Sequence, residues 1–456
     1  MKKIILFVTS CLALFTLNAG GLLTNQNQSA SYMRMPARTA STDGDAVFYN
    51  PAGLSVIDNG LLISVSNQFL WQTRTIADSY PALHGSEFEG KMQTPIFPTV
   101  YAAYKTGNWV FSFGFNPTAG GGSVKFDNGI PMLEVPIAAL PGTVSSLGIP
   151  TSDYSMEAMM DGKSIMFGYQ AGVTYKIGDM FGVFGGCRMV SASNSYEGYL
   201  RNIMINPMVY NPNPGQMISA SAFFNAIGQS EIGASLTDQS LNVKQKGTGY
   251  TPILGFNFNL KGLNVGLKYE FNTKLTVKNQ TSSNAFDMYP DGQELRSDIP
   301  ALLSIGASYD VVPEMKLSFG YLHYFDKNAV MQSWDARTRT VLNKADYIDK
   351  NTSEYLAGIE WKVCEKLVLS SGYQYSKPGP SEKYQNDISH SIANLTAGIG
   401  FAYKICEKAT INVGGLMSFY DKFKTRYAQP EGSNIFYNRT YDRTSKGFAI
   451  GLDLKF

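Results

Sequence analysis

Apolar residues recur at every second position through most of this 456-residue chain. Trp109, Phe111, Phe113 and Phe115 alternate with Val110, Ser112, Gly114 and Asn116. Ile165 to Ile177, Leu254 to Leu260, Leu263 to Phe271 and Met315 to Phe325 carry the same pattern. So do Tyr355 to Val363, Leu395 to Ile405, Ile411 to Phe419 and the C-terminal run Phe448 to Phe456. A period of two predicts strands with one apolar face.

The runs pair across short polar links, such as Lys105 to Asn108, Gly178 to Met180, Lys261-Gly262, Val312 to Glu314, Cys364 to Lys366 and Cys406 to Lys408. Much longer Gly- and Pro-rich stretches separate successive pairs. Short turns at one end and long loops at the other predict an all-β transmembrane antiparallel barrel. In hydrocarbon every backbone N–H and C=O needs an internal partner, so strands span only as a closed sheet. Strand starts near 60, 91, 108, 163, 181, 250, 263, 299, 315, 353, 367, 392, 409 and 442 predict 14 strands over residues 60–456. The weighed alternative is a soluble β-sandwich or propeller. It accounts poorly for the turn and loop asymmetry.

Residues 1–19, MKKIILFVTSCLALFTLNA, read as a Sec signal peptide: a basic start, an apolar stretch too short to span, and a small-residue exit. Removing it takes Lys2 and Lys3, so 38 basic residues become 36 against 36 acidic ones. A neutral chain argues against a nucleic-acid partner. The terminal Phe456 resembles the assembly signal of outer-membrane barrels, which implies the barrel-assembly machinery as a partner during biogenesis.

Residues 20–59 are polar, rich in small residues, and do not alternate. They contain Asn50-Pro51-Ala52-Gly53, which on local chemistry is a tight turn. With Asp43 or Asp45 before it, this segment, the strand count and the terminal Phe resemble the FadL/TodX family of outer-membrane transporters for long-chain fatty acids and other hydrophobic compounds. The resemblance implies that residues 20–59 form a hatch plugging the lumen, with Asn50, Pro51, Ala52 and Gly53 as its fixed corner or gate. It also implies a lateral exit at a kink in the third strand. Here that strand reads Asn116-Pro117-Thr118-Ala119-Gly120-Gly121-Gly122, where Pro and Gly mark either a kink or simply the strand's end.

Two long loops, about 118–162 and 200–249, carry many apolar residues and suit either packing over the barrel mouth or collecting ligand. Parity along the strands turns Arg188, Lys268 and Glu270 inward, as candidate ligand-binding residues for an anionic head. The alternative is that these charges pair within a polar lumen and with the plug. Cys187, Cys364 and Cys406 are expected as free thiols, the last two lying too far apart to bridge.

His84, His323 and His390 sit in no triad, and neither a metal cluster nor a phosphate loop is evident. No catalysis, cofactor or metal is therefore expected. The expected function is passive outer-membrane transport of hydrophobic, fatty acid-like compounds in a Gram-negative bacterium, by a monomer in contact with outer-membrane lipid. A barrel repurposed as a secretion-machinery subunit or surface-protein shuttle, and a nonspecific porin, are the alternatives.

Overall fold

The structure, a computed structural model, describes residues 24–336, 338–428 and 436–456. The signal-peptide reading of 1–19 and the first residues of the expected hatch lie outside them.

Fourteen antiparallel strands close a barrel among the described residues. They are β1 (Gly60–Asp78), β2 (Glu87–Thr106), β3 (Trp109–Phe126), β4 (Tyr154–Ile177), β5 (Phe181–Ile205), β6 (Gln239–Leu260), β7 (Leu263–Glu270), β8 (Leu302–Val312), β9 (Met315–Tyr324), β10 (Thr352–Cys364), β11 (Leu367–Lys377), β12 (Asn394–Cys406), β13 (Ala409–Tyr420) and β14 (Phe436–Lys455). Each pairs with its sequence neighbours, and β14 closes on β1 from Leu62↔Lys455 to Asp78↔Arg439. Closure leaves no sheet edge, which is the condition for strands to stand in lipid. Shorter pieces such as Thr276–Asn284 and Phe423–Ala428 extend the wall at the long-loop end.

The outward positions are apolar and uncovered: Phe111, Phe113, Leu254, Phe319, Ile399 and Ile450 are all exposed. Tyr104, Trp109, Tyr309, Trp361 and Tyr403 lie exposed near the short turns, as an interfacial aromatic girdle requires. Cys187, Cys364 and Cys406 are free and exposed.

Several strands begin earlier or end later than alternation suggests. β3 runs to Phe126 and β4 begins at Tyr154, so the loop expected at 118–162 shrinks to 127–153. Likewise the loop expected at 200–249 shrinks to 206–238. Above the membrane the outward face meets no lipid, so polar pairs such as Glu157↔Arg201 continue the ladder there while the apolar residues turn inward. These loops carry short helices, α1 (Pro131–Ala138) and α2 (Leu140–Ser145), then α3 (Ala220–Ala226) and α4 (Ser230–Ser235). Their apolar faces are spent on packing. Ile130, Leu133, Ile137, Leu140, Phe223, Phe224 and Ile232 are buried in one cluster with Phe126, Met160, Tyr196 and Tyr441 of the barrel rim.

Residues 24–59 fold inside the barrel, and this inner segment is called the hatch below. Nearly all are buried, and their contacts reach around the wall. Tyr101 Oη of β2 donates to the Gln28 carbonyl (2.8 Å), Asn264 Nδ2 of β7 to the Ala40 carbonyl (2.9 Å), and Lys105 Nζ to the Ser55 carbonyl (2.8 Å). Arg34 Nη1 reaches Glu360 of β10 at 2.6 Å and Ser370 of β11 at 2.7 Å.

Close approach of the hatch requires inward positions without side chains. Gly306 pairs with Gly266 and with Gly320, and Gly372 pairs with Gly358 and with Gly398. A Cβ on Gly306 or Gly320 would lie 2.2 or 2.3 Å from Thr39 Oγ1, and one on Gly398 would lie 2.7 Å from the Met33 carbonyl. The glycine belt is thus the seat of the hatch.

Gly306→Val combined with Gly320→Val should unseat the hatch and leave the barrel intact. In planar bilayers we expect steady ion conductance where the unaltered protein is silent, with unchanged heat-modifiable migration. A double variant that stays sealed would show the belt is not the seat.

Candidate functional site

The Asn-Pro-Ala-Gly corner is built between two hatch elements. Ala46–Tyr49 is a single helical turn, and Pro51 opens a 3-10 turn over Pro51–Val56. Pro51 loses nothing there, because the first helical N–H has no partner to find. Asn50 is buried, and its Nδ2 donates to the Ser41 carbonyl (3.1 Å) and to Asn257 Oδ1 of β6 (2.8 Å). Asn257 in turn donates to Asn264 of β7 (2.8 Å). Gly53 must be glycine, since a Cβ would lie 2.3 Å from Asn50 Nδ2 and 2.7 Å from the Ser41 carbonyl. Ala52 packs against Phe184 and Ile253. Behind the corner, Arg38 holds Asp45 through both Nε (2.9 Å) and Nη2 (2.8 Å), and Asp43 through Nη2 (2.6 Å).

Arg188, Lys268 and Glu270 come together as one buried cluster on the loop side of this corner. Arg188 grips both Glu270 oxygens, at 2.7 and 3.0 Å, and Gln170 Oε1 at 2.8 Å. Lys268 Nζ donates to Glu270 (2.6 Å) and to the hatch carbonyl of Phe48 (2.7 Å). The Phe48 ring lies 4.7 Å from both cations. Their partners lie on β4, β5, β7 and the hatch, and none of the three lines the cavity described below. Their bonds latch the hatch to the wall.

The third strand does not stop at Pro117. It continues to Phe126, but its ladder to β2 lapses. Pairing runs Gly90↔Phe126 and Lys91↔Lys125, then resumes only at Val100↔Phe115. Residues 92–99 of β2 and 116–124 of β3 face no partner across that seam. On the other side β3 follows β4 with register shifts at Pro117/Ala119 and Ala119/Gly122. Gly120 has φ +84°, and a Cβ there would lie 2.2 Å from the Ser164 carbonyl, so the bulge depends on glycine. Asn116 is fully buried and donates to Gln28 of the hatch at 3.0 Å. The opposite strand carries a signal that alternation overlooks. Pro95 and Pro98 fall inside the unpaired stretch of β2, and proline has no N–H to give a ladder.

A cavity of about 310 Å³ lies against this seam, above the start of the hatch. Phe97 and Met92 of β2, Pro117 to Gly120, Val124 and Phe126 of β3, and Leu70 of β1 form its apolar side. Gln26 to Gln28 of the hatch form its floor, and His390 and Ile392 of the loop after β11 close it above. Burial, then the neighbouring Arg443 and Arg74, holds the His390 ring well below the ordinary imidazole range, so it is neutral. The volume lies at the small end of ligand pockets.

No protein-family model matches the sequence, and no curated protein matches it. Solved structures do match in fold. A FadL homologue from Pseudomonas aeruginosa aligns with a TM-score of 0.66 at 12% identity, over 96% of this chain and 100% of that one. The chain has the FadL barrel fold. The toluene transporter TodX of Pseudomonas putida aligns with a TM-score of 0.59 at 14% identity, over 96% and 100% of the two chains. The toluene transporter TbuX of Ralstonia pickettii gives 0.54 at 14%, over 91% and 94%. Within the FadL fold, the strand-3 residues Asn116, Pro117 and Gly120 to Gly122 lie at the seam. Asn50 to Gly53 are not among the cavity's lining residues.

Glu270→Ala would leave Arg188 and Lys268 buried without their counter-ion, at a cost of about 3 kcal/mol. Hydrogen exchange of hatch amides 46–50 should then speed up by about 100-fold, with amides of β9 to β12 unaffected. Unchanged hatch protection would contradict the latch.

Proposed function

We propose that this barrel carries hydrophobic compounds across the outer membrane of a Gram-negative bacterium by passive diffusion. The ligand enters from the loop side, rests in the cavity, and leaves sideways into the bilayer between β2 and β3. One observation carries this reading: the cavity lining and the unpaired ladder share Met92, Phe97 and Pro117 to Gly120. A ligand there meets an apolar wall that no hydrogen-bond ladder bars from lipid. The hatch fills the lumen beneath, so a straight aqueous path, as a porin needs, has no support. The similar structures, a FadL homologue and toluene transporters, agree with a hydrophobic cargo. Leu70, Phe97, Val124 and Phe126 suit a fatty acid-like body. A cavity this small suits one compound at a time.

Replacing Gly120, Gly121 and Gly122 together by valine should abolish the bulge and extend the β2–β3 ladder. Uptake of radiolabelled decanol and decanoate by cells carrying this variant should fall to the level of cells without the protein. Uptake equal to that of the unaltered protein, with the variant folded in the outer membrane, would refute the lateral route.

A further inference from the structure

Arg74 of β1 and Arg443 of β14 are direct cross-strand partners. Both fall in the inward phase, Arg74 with Ile76 and Asp78, Arg443 with Tyr441 and Arg439. Like charges directly opposite in a sheet repel. Elsewhere inside the barrel arginines are matched by carboxylates: Arg34 by Glu360 at 2.6 Å, Arg188 by Glu270 at 2.7 Å, Arg439 by Asp78 at 2.6 Å and Asp387 at 2.8 Å. Among the described residues, the side chains of Arg74 and Arg443 bond only neutral groups. Arg74 donates to Gln72 Oε1 (2.9 Å) and the Ile388 carbonyl (3.0 Å), and Arg443 to the His390 carbonyl (2.7 Å). Asp442 lies in the opposite phase and meets Lys422 at 3.4 Å.

Both arginines line the cavity, and no Asp or Glu lines it. Two further polar atoms there are buried without a partner: Arg443 Nε and His390 Nε2. His390 itself is 2% exposed. Among the described residues, the cavity therefore holds two inward arginines, with Lys163 and Lys446 also on its lining, and unused hydrogen-bonding capacity, and no carboxylate lines it to answer them.

We propose that Arg74 and Arg443 receive a tetrahedral oxyanion, a sulfate or phosphate ester, at the head of an otherwise apolar ligand. This rests on the channel reading above and names the class of its cargo. A carboxylate brings one charge and two oxygens, enough for one guanidinium fork. An ester of sulfate or phosphate brings three free oxygens, enough to bridge both forks. Burial, then Arg443 and Arg74, keeps His390 neutral; an anion in place offsets the arginine part and gives the unpartnered Nε2 a group to meet. Tyr420, 5.2 Å beneath the Arg443 guanidinium, supports that side chain from the wall. Leu70, Met92 and Phe97 then take the apolar body towards the seam.

The test is equilibrium binding to the full chain in a nonionic detergent, with decyl sulfate, decyl phosphate, decanoate and decanol below micelle formation. We expect at least one of the two oxyanion esters to bind about tenfold more tightly than decanoate; which one does distinguishes sulfate from phosphate. Arg74→Gln and Arg443→Gln should each remove that preference and leave decanol binding unchanged, with heat-modifiable migration showing a folded barrel. Decanoate binding as tightly as both esters, or a preference that survives both substitutions, would overturn the head-group assignment alone. Failure of all four probes to bind would overturn it together with the channel reading.

Discussion

A peptide group in hydrocarbon must find its partner within the protein. That constraint shapes this chain more than any single contact. It makes the strands close on one another, from β1 round to β14, and it makes any lapse in the ladder costly. The barrel lapses at one seam, between β2 and β3, over eight residues of one strand and nine of the other. There the cost is reduced by residue choice. Pro95, Pro98 and Pro117 have no N–H to leave unpaired, and Asn116 turns its amide to the hatch. The seam also borders the cavity, so the backbone's weakest place and the apolar cavity wall coincide.

The hatch obeys the same rule from inside. Its backbone runs through the lumen with little regular structure of its own, so its carbonyls take bonds from the wall: from Tyr101, Lys105, Gln170, Thr174, Asn264 and Lys268. Such bonds form only if hatch and wall come close, which the inward glycines of β7 to β12 allow. The charge cluster of Arg188, Lys268 and Glu270 adds a fixed point on the loop side of the Asn50 corner. Sealing thus comes from many modest, mutually dependent contacts. The open space above the hatch contrasts with it, because there two arginines are left to neutral partners.

Much of this was legible in the sequence, because lipid imposes a strict period on what faces it. The strands from Leu263, Met315 and Leu367 begin where alternation places them, and the short turns coincide. Legibility ended where lipid ended. The outer halves of β4 and β6 turn polar residues such as Glu157, Asn242 and Lys244 outward and keep Met160, Leu241 and Val243 inside, the reverse of the lipid-facing pattern, and loop residues such as Ile137 and Phe223 gave no hint of whether they covered the mouth or faced water. The inward direction of Arg188 could be read from parity, but its partner could not, since Glu270 lies two strands away. Arg74 and Arg443 were unreadable for the same reason: 369 positions apart, they become neighbours only when the barrel closes. The glycines of the belt stand at matching inward positions, and that regularity was present in the sequence for anyone who had first fixed the register.

The central claim is that the cavity communicates with the bilayer through the β2–β3 seam. It can be tested directly with the native cysteines replaced by serine and one new thiol introduced. Phe97→Cys places that thiol in the unpaired stretch, and Val190→Cys places one at an inward, fully buried position on the continuously paired β5. In lipid nanodiscs, a maleimide confined to the hydrocarbon should label the first variant quickly and the second hardly at all. Equal protection of both would mean that the seam is shut in the membrane, and the lateral route would be wrong.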